Sequence, residues 1–183
     1  MSFLSKFLNR SDPREAMLPL YNAVVAEARR VHWYSAGGVP DTREGRFEMV
    51  AALLSLTLLG LERDEAQTQN SVFLTELFVE DMDGQLRQFG IGDMIVGKHI
   101  GKLMSALGGR LGAYRAALDG SDAWDAVVTR NIWGGEEAPA EQRAHVIAGL
   151  KAYATSLGAM DMAQLVTGHV PDTHDAQDKE QPA

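Results

Sequence analysis

An acidic cluster in the middle of the chain contains residue types that could support metal chemistry. Glu80, Asp81 and Asp83 could supply the carboxylate oxygens that calcium and magnesium prefer. On a helix, however, Asp81 and Asp83 point about 200° apart, which is poor geometry for sharing one ion. Asp83 and Arg87 have the i,i+4 spacing of an ion pair. We therefore interpret the cluster as helix ion pairs, with a metal-dependent factor built on these carboxylates as the alternative.

A glycine-rich segment resembles a phosphate-binding loop. It runs Gly92-Asp-Met-Ile-Val-Gly97-Lys98-His99, and His99 stands where the pattern needs a serine or threonine hydroxyl. No strand pattern precedes the segment, although such a loop needs a strand to aim its backbone amides. We therefore interpret it as a helix-capping turn.

The other chemistry-bearing residues form no catalytic set. Cysteine is absent, which excludes disulfides, thiol catalysis and cysteine-based zinc sites. The five histidines are scattered, and the sequence lacks the zinc-protease, dimetal-helix and serine-hydrolase motifs. We expect a protein that is not an enzyme and uses no cofactor or metal.

Composition narrows the classes of partner. The chain has 183 residues and a net charge of −8. Because the negative charge produces no overall attraction to nucleic acid, we expect no nucleic-acid partner. The longest uncharged run, residues 49–61, is shorter than the ~20 residues of a bilayer span. No secretory signal is visible. We expect a cytoplasmic location, with contact at the inner face of the cytoplasmic membrane as an option.

Hydrophobic residues recur with a helical period through most of the chain. The pattern predicts an all-α, single-domain bundle of six or seven helices around a central apolar helix, which would be the second one, with Asp41 as its N-cap. Residues 1–10 would form a mobile N-terminal segment, residues 11–170 the helical domain, and residues 171–183 a disordered acidic tail. The predicted helices span about 11–34, 41–61, 65–89, 93–118, 121–132, 139–157 and 161–166.

A stripe of small residues runs along the fourth predicted helix. Close approach of another helix would compensate for its low helix propensity. We expect that neighbour to lie within the domain, with a groove for a partner's helix as the alternative. The stripe consists of Gly97, Gly101, Ser105, Gly108 and Gly112.

Charge is distributed unevenly along the chain. Residues 97–118 contain four basic residues, Lys98 and Lys102 among them, and no acid, whereas residues 62–87 are strongly acidic. We expect the two helices to neutralise each other. The alternative is a peripheral protein that binds anionic lipids through Lys98, Lys102 and the N-terminal segment. That segment has a helical apolar spacing, which could form a weak interfacial anchor, but because it is under ten residues long we expect a frayed terminus or a helix docked on the domain.

Several segments in the first two thirds of the chain together resemble one known family. They are Tyr21-Asn-Ala-Val-Val-Ala-Glu-Ala-Arg29, Trp33-Tyr34, Gly38-Val-Pro-Asp-Thr42, Gly45-Arg-Phe-Glu-Met49, Phe78-Val-Glu-Asp-Met-Asp83, Leu86-Arg87, Gly90-Ile-Gly-Asp93, Val96-Gly-Lys98, Gly109-Arg110 and Ala113-Tyr114. Between residues 14 and 118 the chain is similar to the ubiquinol–cytochrome c chaperones, the assembly factors of ubiquinol–cytochrome c reductase.

The resemblance implies a non-catalytic, all-helical chaperone. Its client would be a cytochrome b-like membrane subunit, and a small partner protein would act with it. On this basis we expect two sets of site residues. The partner-facing set is Tyr34, Val39, Pro40, Phe78 and Met82. A buried or half-buried polar network would comprise Asp41, Arg46, Asp81, Asp83 and Arg87 and hold the loop after the first helix against the third.

Overall fold

The computed structural model describes residues 12–87 and 96–173, with side chains for residues 12–84 and 101–173. The expected N-terminal segment 1–10 and residues 174–183 of the expected tail lie outside these residues. The described residues contain helices and turns but no strand, which confirms the all-α class. Among them, no helix combines the length and the apolarity that crossing a bilayer requires.

The helices follow one another through short connections. Two 3-10 turns, Pro13–Met17 and Glu65–Gln67, lead into the first and fourth α-helices. The α-helices are α1 (Leu18–Ala28), α2 (Val31–Ser35), α3 (Arg43–Leu61), α4 (Thr68–Arg87), α5 (Val96–Asp119), α6 (Trp124–Ile132), α7 (Ala140–Ala159) and α8 (Met162–Val166).

Helix α3 is the centre of the fold, as its apolar sequence predicts. It packs against α1, α4, α5, α6 and α7, and its residues from Met49 to Leu58 are all buried. Its two buried hydroxyls donate to carbonyl oxygens one turn earlier, Ser55 to Ala51 and Thr57 to Leu53. The helix therefore leaves no polar group unpaired at these two positions, which lets it lie inside the bundle.

The first predicted helix is divided into a 3-10 turn, α1 and α2. Pro19 lies at the start of α1, where its missing N–H costs no hydrogen bond. Between α1 and α2 the backbone of Arg30 is extended. The side chains of α2 then satisfy carbonyls at the end of α1: the Trp33 indole donates to Glu27 O and the Tyr34 hydroxyl donates to Ala28 O. These bonds replace the helical bonds that the break removes.

The start of α3 depends on Thr42 and Gly45. Thr42 caps the helix by accepting a hydrogen bond from the Gly45 N–H at 3.2 Å, so the expectation that Asp41 is the N-cap is wrong. A Cβ on Gly45 would lie 2.0 Å from the Pro40 carbonyl oxygen. Only glycine therefore fits where the loop folds back onto the helix. Asp41 instead forms an ion pair with Arg46.

A bidentate ion pair fixes α5 on α3. Arg110 donates to both carboxylate oxygens of Glu48, at 2.6 and 2.5 Å, and to the Ala106 carbonyl at 2.9 Å. The side chains are only 16% and 20% exposed. Burial raises the pKa of Glu48, although the hydrogen bonds from Arg110 oppose that shift. The pair thus holds a carboxylate that would be costly to bury alone.

The last described residues are packed onto the domain. Thr173 donates its N–H (3.1 Å) and its hydroxyl to the buried carboxylate of Glu27, and its hydroxyl also contacts His32 Nε2 at 2.9 Å. Arg30 joins the cluster by pairing with Glu27 and with Asp172. Residues 171–173, which we assigned to the disordered tail, are therefore docked, because a buried carboxylate needs the donors they provide.

We predict that Arg110→Ala lowers the free energy of unfolding by about 2–4 kcal/mol, because it leaves the Glu48 carboxylate desolvated and unpaired. The deficit should shrink as the pH falls. A raised folded-state pKa means that protonation of Glu48 favours the folded state, so the penalty is complete at neutral pH and is relieved as the pH falls through the raised pKa towards the ordinary carboxyl range. Urea denaturation at several pH values measures this dependence.

The double variant R110A/E48Q should regain part of the lost stability, since an amide costs less to bury than a carboxylate. Asp41→Ala provides the exposed control, because the Asp41–Arg46 side chains are 58% and 56% exposed. Its effect should be much smaller. Equal losses for Arg110→Ala and Asp41→Ala would contradict the role of the Glu48–Arg110 pair.

We also predict that Thr173→Val destabilises the protein by about 1–3 kcal/mol, because it removes a donor to the buried Glu27 carboxylate. Thermal unfolding followed by circular dichroism measures the change. Thr167→Val is the matched control, since the exposed Thr167 hydroxyl bonds only to nearby groups at the end of α8, such as Ala163 O. If the two variants melted at the same temperature, the docking role of Thr173 would be refuted.

Candidate functional site

An open groove of about 980 Å³ lies between α4, α5 and the C-terminal end of α3. The 3-10 turn before α1 closes it at one end through Arg14. One face of α4 forms its longest wall, since Thr68, Val72, Val79 and Asp83 follow the spacing of residues on one side of a helix. We call this feature the α4–α5 groove.

The floor of the α4–α5 groove is apolar. Leu58 and Leu61 form its base from α3, and their side chains are 5% and 0% exposed, so most of the accessible apolar surface comes from the walls. Val72 and Met104 lie on its two helical walls and are each 45% exposed, so together they place accessible apolar surface on both sides of the groove. Further apolar surface comes from Val79 and Leu111. The groove therefore offers apolar surface that burial by another molecule would stabilise.

The rim of the groove is strongly acidic. Among the described side chains, six carboxylates line it against one guanidinium, that of Arg14. Arg14 Nη1 pairs with Glu80 Oε2 at 2.9 Å, and the hydrogen bonds from Arg14 hold the pKa of Asp12 below its usual value. The acidic residues are Glu62, Asp64, Glu65, Glu76, Glu80 and Asp83.

The basic residues of α5 neutralise only a small part of this rim. Arg115 pairs with Glu62 at 2.7 Å, but Arg110 pairs with Glu48 of α3. Within the described residues, the carboxylates of Glu65 and Glu76 have neither a hydrogen bond nor an ion pair. The expectation that the acidic and basic helices neutralise each other is thus met at Glu62, and the described side chains that line the groove carry an excess of negative charge.

The small-residue stripe of α5 faces away from the domain. A Cβ built on Gly101, Gly108 or Gly112 would meet no atom of the described residues within 4 Å, so the prediction of close internal packing is wrong for these three positions within that part of the chain. The physical reason is that α5 directs Leu107, not the glycines, against the core. At 100° per residue, Gly108 lies about 40° around the helix from Met104. The stripe therefore borders the outer edge of the groove.

None of the five expected partner-facing residues lines this groove. Val39, Phe78 and Met82 are buried in the core, where the Phe78 ring packs 5.8 Å from that of Phe47. Tyr34 is half-buried and bonded to α1, and Pro40 is exposed in the loop before α3. Helical periodicity identified the apolar positions but did not indicate that neighbouring helices cover them.

The expected polar network is divided between two places. Asp41 and Arg46 pair with each other at 2.6 Å and are exposed, so this part is neither buried nor half-buried. Asp81 accepts a hydrogen bond from the Tyr21 hydroxyl at 2.7 Å, which ties α4 to α1. Asp83 lines the groove, and the side chain of Arg87 lies outside the described residues.

The acidic cluster that could have held a metal is engaged in other interactions. Glu80 pairs with Arg14, and Asp81 bonds to Tyr21. Among the described residues no group of three or more histidine, aspartate or glutamate side chains could hold a metal ion. As for the lipid alternative, Lys102 is exposed, whereas the side chain of Lys98 lies outside the described residues.

Sequence reasoning missed the apolar residues of the groove. Val72 and Val79 lie on one face of α4 with Glu76 and Asp83, at spacings of three and four residues. That mixed face of small apolar and acidic residues was a signal, but it also fits an ordinary solvated face. Only the position of α5 beside it makes this face one wall of a groove.

Comparison with known proteins identifies the family. The family model described as "Ubiquinol-cytochrome C chaperone" matches residues 35–173, which extends well beyond the segments that carry the resemblance. The structure is also similar to one described as the crystal structure of the Cbp3 homolog from Brucella abortus. That match has a TM-score of 0.77 and 32% sequence identity, and it covers 94% of this chain and 98% of that one.

No curated protein matches the sequence. Because the family model covers more than half of the chain, this protein belongs to the ubiquinol–cytochrome c chaperone family.

Proposed function

We propose that this protein is a non-catalytic chaperone that binds a cytochrome b-like membrane subunit during assembly of ubiquinol–cytochrome c reductase. The α4–α5 groove is the proposed binding surface. The observation that carries the proposal is the combination of an apolar floor with an acidic rim. Family membership supports the chaperone role, and the cytochrome b-like client and a small partner protein are parts of the same proposal.

The groove suits the cytoplasmic end of a membrane-spanning helix. Such a helix has a long apolar body, and the loops at its cytoplasmic end are rich in lysine and arginine. The apolar part would be buried against Leu58, Val72 and Met104, which shields it from aggregation. The basic flank would meet the acidic rim, which sets orientation and speeds association. This binding mode places the chaperone at the cytoplasmic face of the membrane.

We predict that a photo-crosslinker placed in the groove captures cytochrome b in cells that are assembling the reductase. Val72 and Met104 are suitable sites, because both are partly exposed and their replacement leaves the core intact. Val31 is the matched control, since it is 76% exposed on α2 and does not line the groove. The crosslinked product should react with an antibody to cytochrome b only when the crosslinker is at Val72 or Met104.

Two outcomes would count against the proposed function. One is equal capture of cytochrome b from Val31 and from the groove. The other is a deletion strain with normal haem b insertion and normal reductase levels.

We further predict that reversing the rim charge weakens client capture. The variant E65K/E76K should lower the yield of cytochrome b crosslinked at Val72 several-fold, because the basic flank would then be repelled. The control variant E136K/E137K makes the same change in charge in the exposed loop before α7. If both variants reduced the yield equally, the effect would come from net charge, and the rim would have no specific role.

A further inference from the structure

The described chain begins at the end of the α4–α5 groove. Asp12 is the first described residue, and it is hydrogen-bonded to Arg14, which lines the groove. Arg14 is also paired with Glu80 on the α4 wall. The eleven residues that precede Asp12 therefore start beside the Arg14 end of an open groove that no described residue fills.

Those eleven residues have the composition that the groove favours. Phe3, Leu4, Phe7 and Leu8 would lie on one side of a helix, within an arc of about 140°. Lys6 and Arg10 are four residues apart and would flank that arc on one edge. The segment contains no acid. It is therefore an apolar and basic partner for an apolar floor with an acidic rim.

The length of the N-terminal segment also fits the length of the groove. A helix over residues 3–10 would be about 12 Å long, since each residue adds about 1.5 Å. Along α4, the wall from Glu80 to Thr68 is about 18 Å long by the same rise. A segment that enters beside Glu80 can thus run along α4 towards Thr68 and fit within the groove.

We propose that residues 1–11 of this chain occupy the α4–α5 groove in cis when no client is bound. The four apolar side chains would lie on Leu58, Val72 and their neighbours, and Lys6 and Arg10 would face the rim carboxylates of Glu65 and Glu76. The docked segment would regulate client access only if the proposed function is correct. The docking of residues 1–11 does not depend on that function.

A tethered segment is an effective competitor. A short flexible linker gives it an effective concentration on the order of millimolar at the groove. Weak intrinsic affinity is therefore enough to cover the apolar floor of the free chaperone. A client segment with a longer apolar body and more basic residues would displace it.

Disulfide trapping in the full-length chain tests the docking. The chain has no cysteine, so the pair Leu8→Cys/Val72→Cys introduces the only two thiols. Under mild oxidation we expect an intramolecular disulfide, seen as a faster-migrating monomer on a non-reducing gel. The control pair Leu8→Cys/Val31→Cys should not form one. Equal trapping in both pairs would refute the proposal, and so would disulfide-linked dimers, which would indicate that a second copy fills the groove.

Exchanging the charges of the N-terminal segment and the groove rim tests whether the acidic rim recognises the basic residues of the segment. In the L8C/V72C background, K6E/R10E should lower the disulfide yield roughly fivefold, as the loss of two surface ion pairs predicts. Adding E65K/E76K to K6E/R10E should restore it. A yield that does not respond to these charges would refute the recognition of the segment by the rim.

These experiments need no client, so their outcome is independent of the proposed function. Trapping without cytochrome b capture would leave the docked segment intact and overturn the client assignment. Cytochrome b capture without disulfide trapping would support the client assignment and overturn the docking of residues 1–11.

Discussion

Helix α3 carries apolar side chains on every face, and the only way to remove all of them from water is to surround the helix. In the described part of the chain, α1, α4, α5, α6 and α7 pack against it. This arrangement leaves the outward faces of those helices free to differ in chemistry. Near its C-terminal end, the buried side chains of Leu58 and Leu61 form the base of the α4–α5 groove. The groove is thus a consequence of how the central helix is enclosed.

Buried ion pairs and hydrogen bonds position the outer elements. Arg110 joins α5 to α3 through Glu48, and Thr173 joins the end of the described chain to α1 through Glu27. Such pairs contribute specificity more than stability, because desolvation offsets much of their attraction. Their directional geometry nevertheless fixes which side of α5 faces the core. The orientation of α5 in turn determines that Met104 lies in the groove and that the glycines lie outside it.

The charge pattern of the groove follows from the same pairings. The arginines of α5 are engaged with Glu48 and Glu62, so they do not neutralise the acids along α4. The carboxylates of Glu65 and Glu76 have no hydrogen-bond or ion-pair partner among the described residues, so the rim remains acidic there. An apolar surface with an acidic border discriminates among ligands, since it favours segments that are both apolar and basic. The same physical preference underlies the proposed client and the proposed docking of residues 1–11.

The sequence by itself determined the all-α class, the positions of most helices and the central role of α3, because helical period and apolar content are local properties. It also carried the family resemblance. Only the tertiary structure decided which neighbour covers each apolar face. It buried Val39 and Phe78, left Gly108 open, docked Thr173 and brought Val72 opposite Met104 across a groove. The physical reason is that periodicity identifies the apolar face of a helix, whereas the partner of that face depends on how helices distant in sequence cross one another.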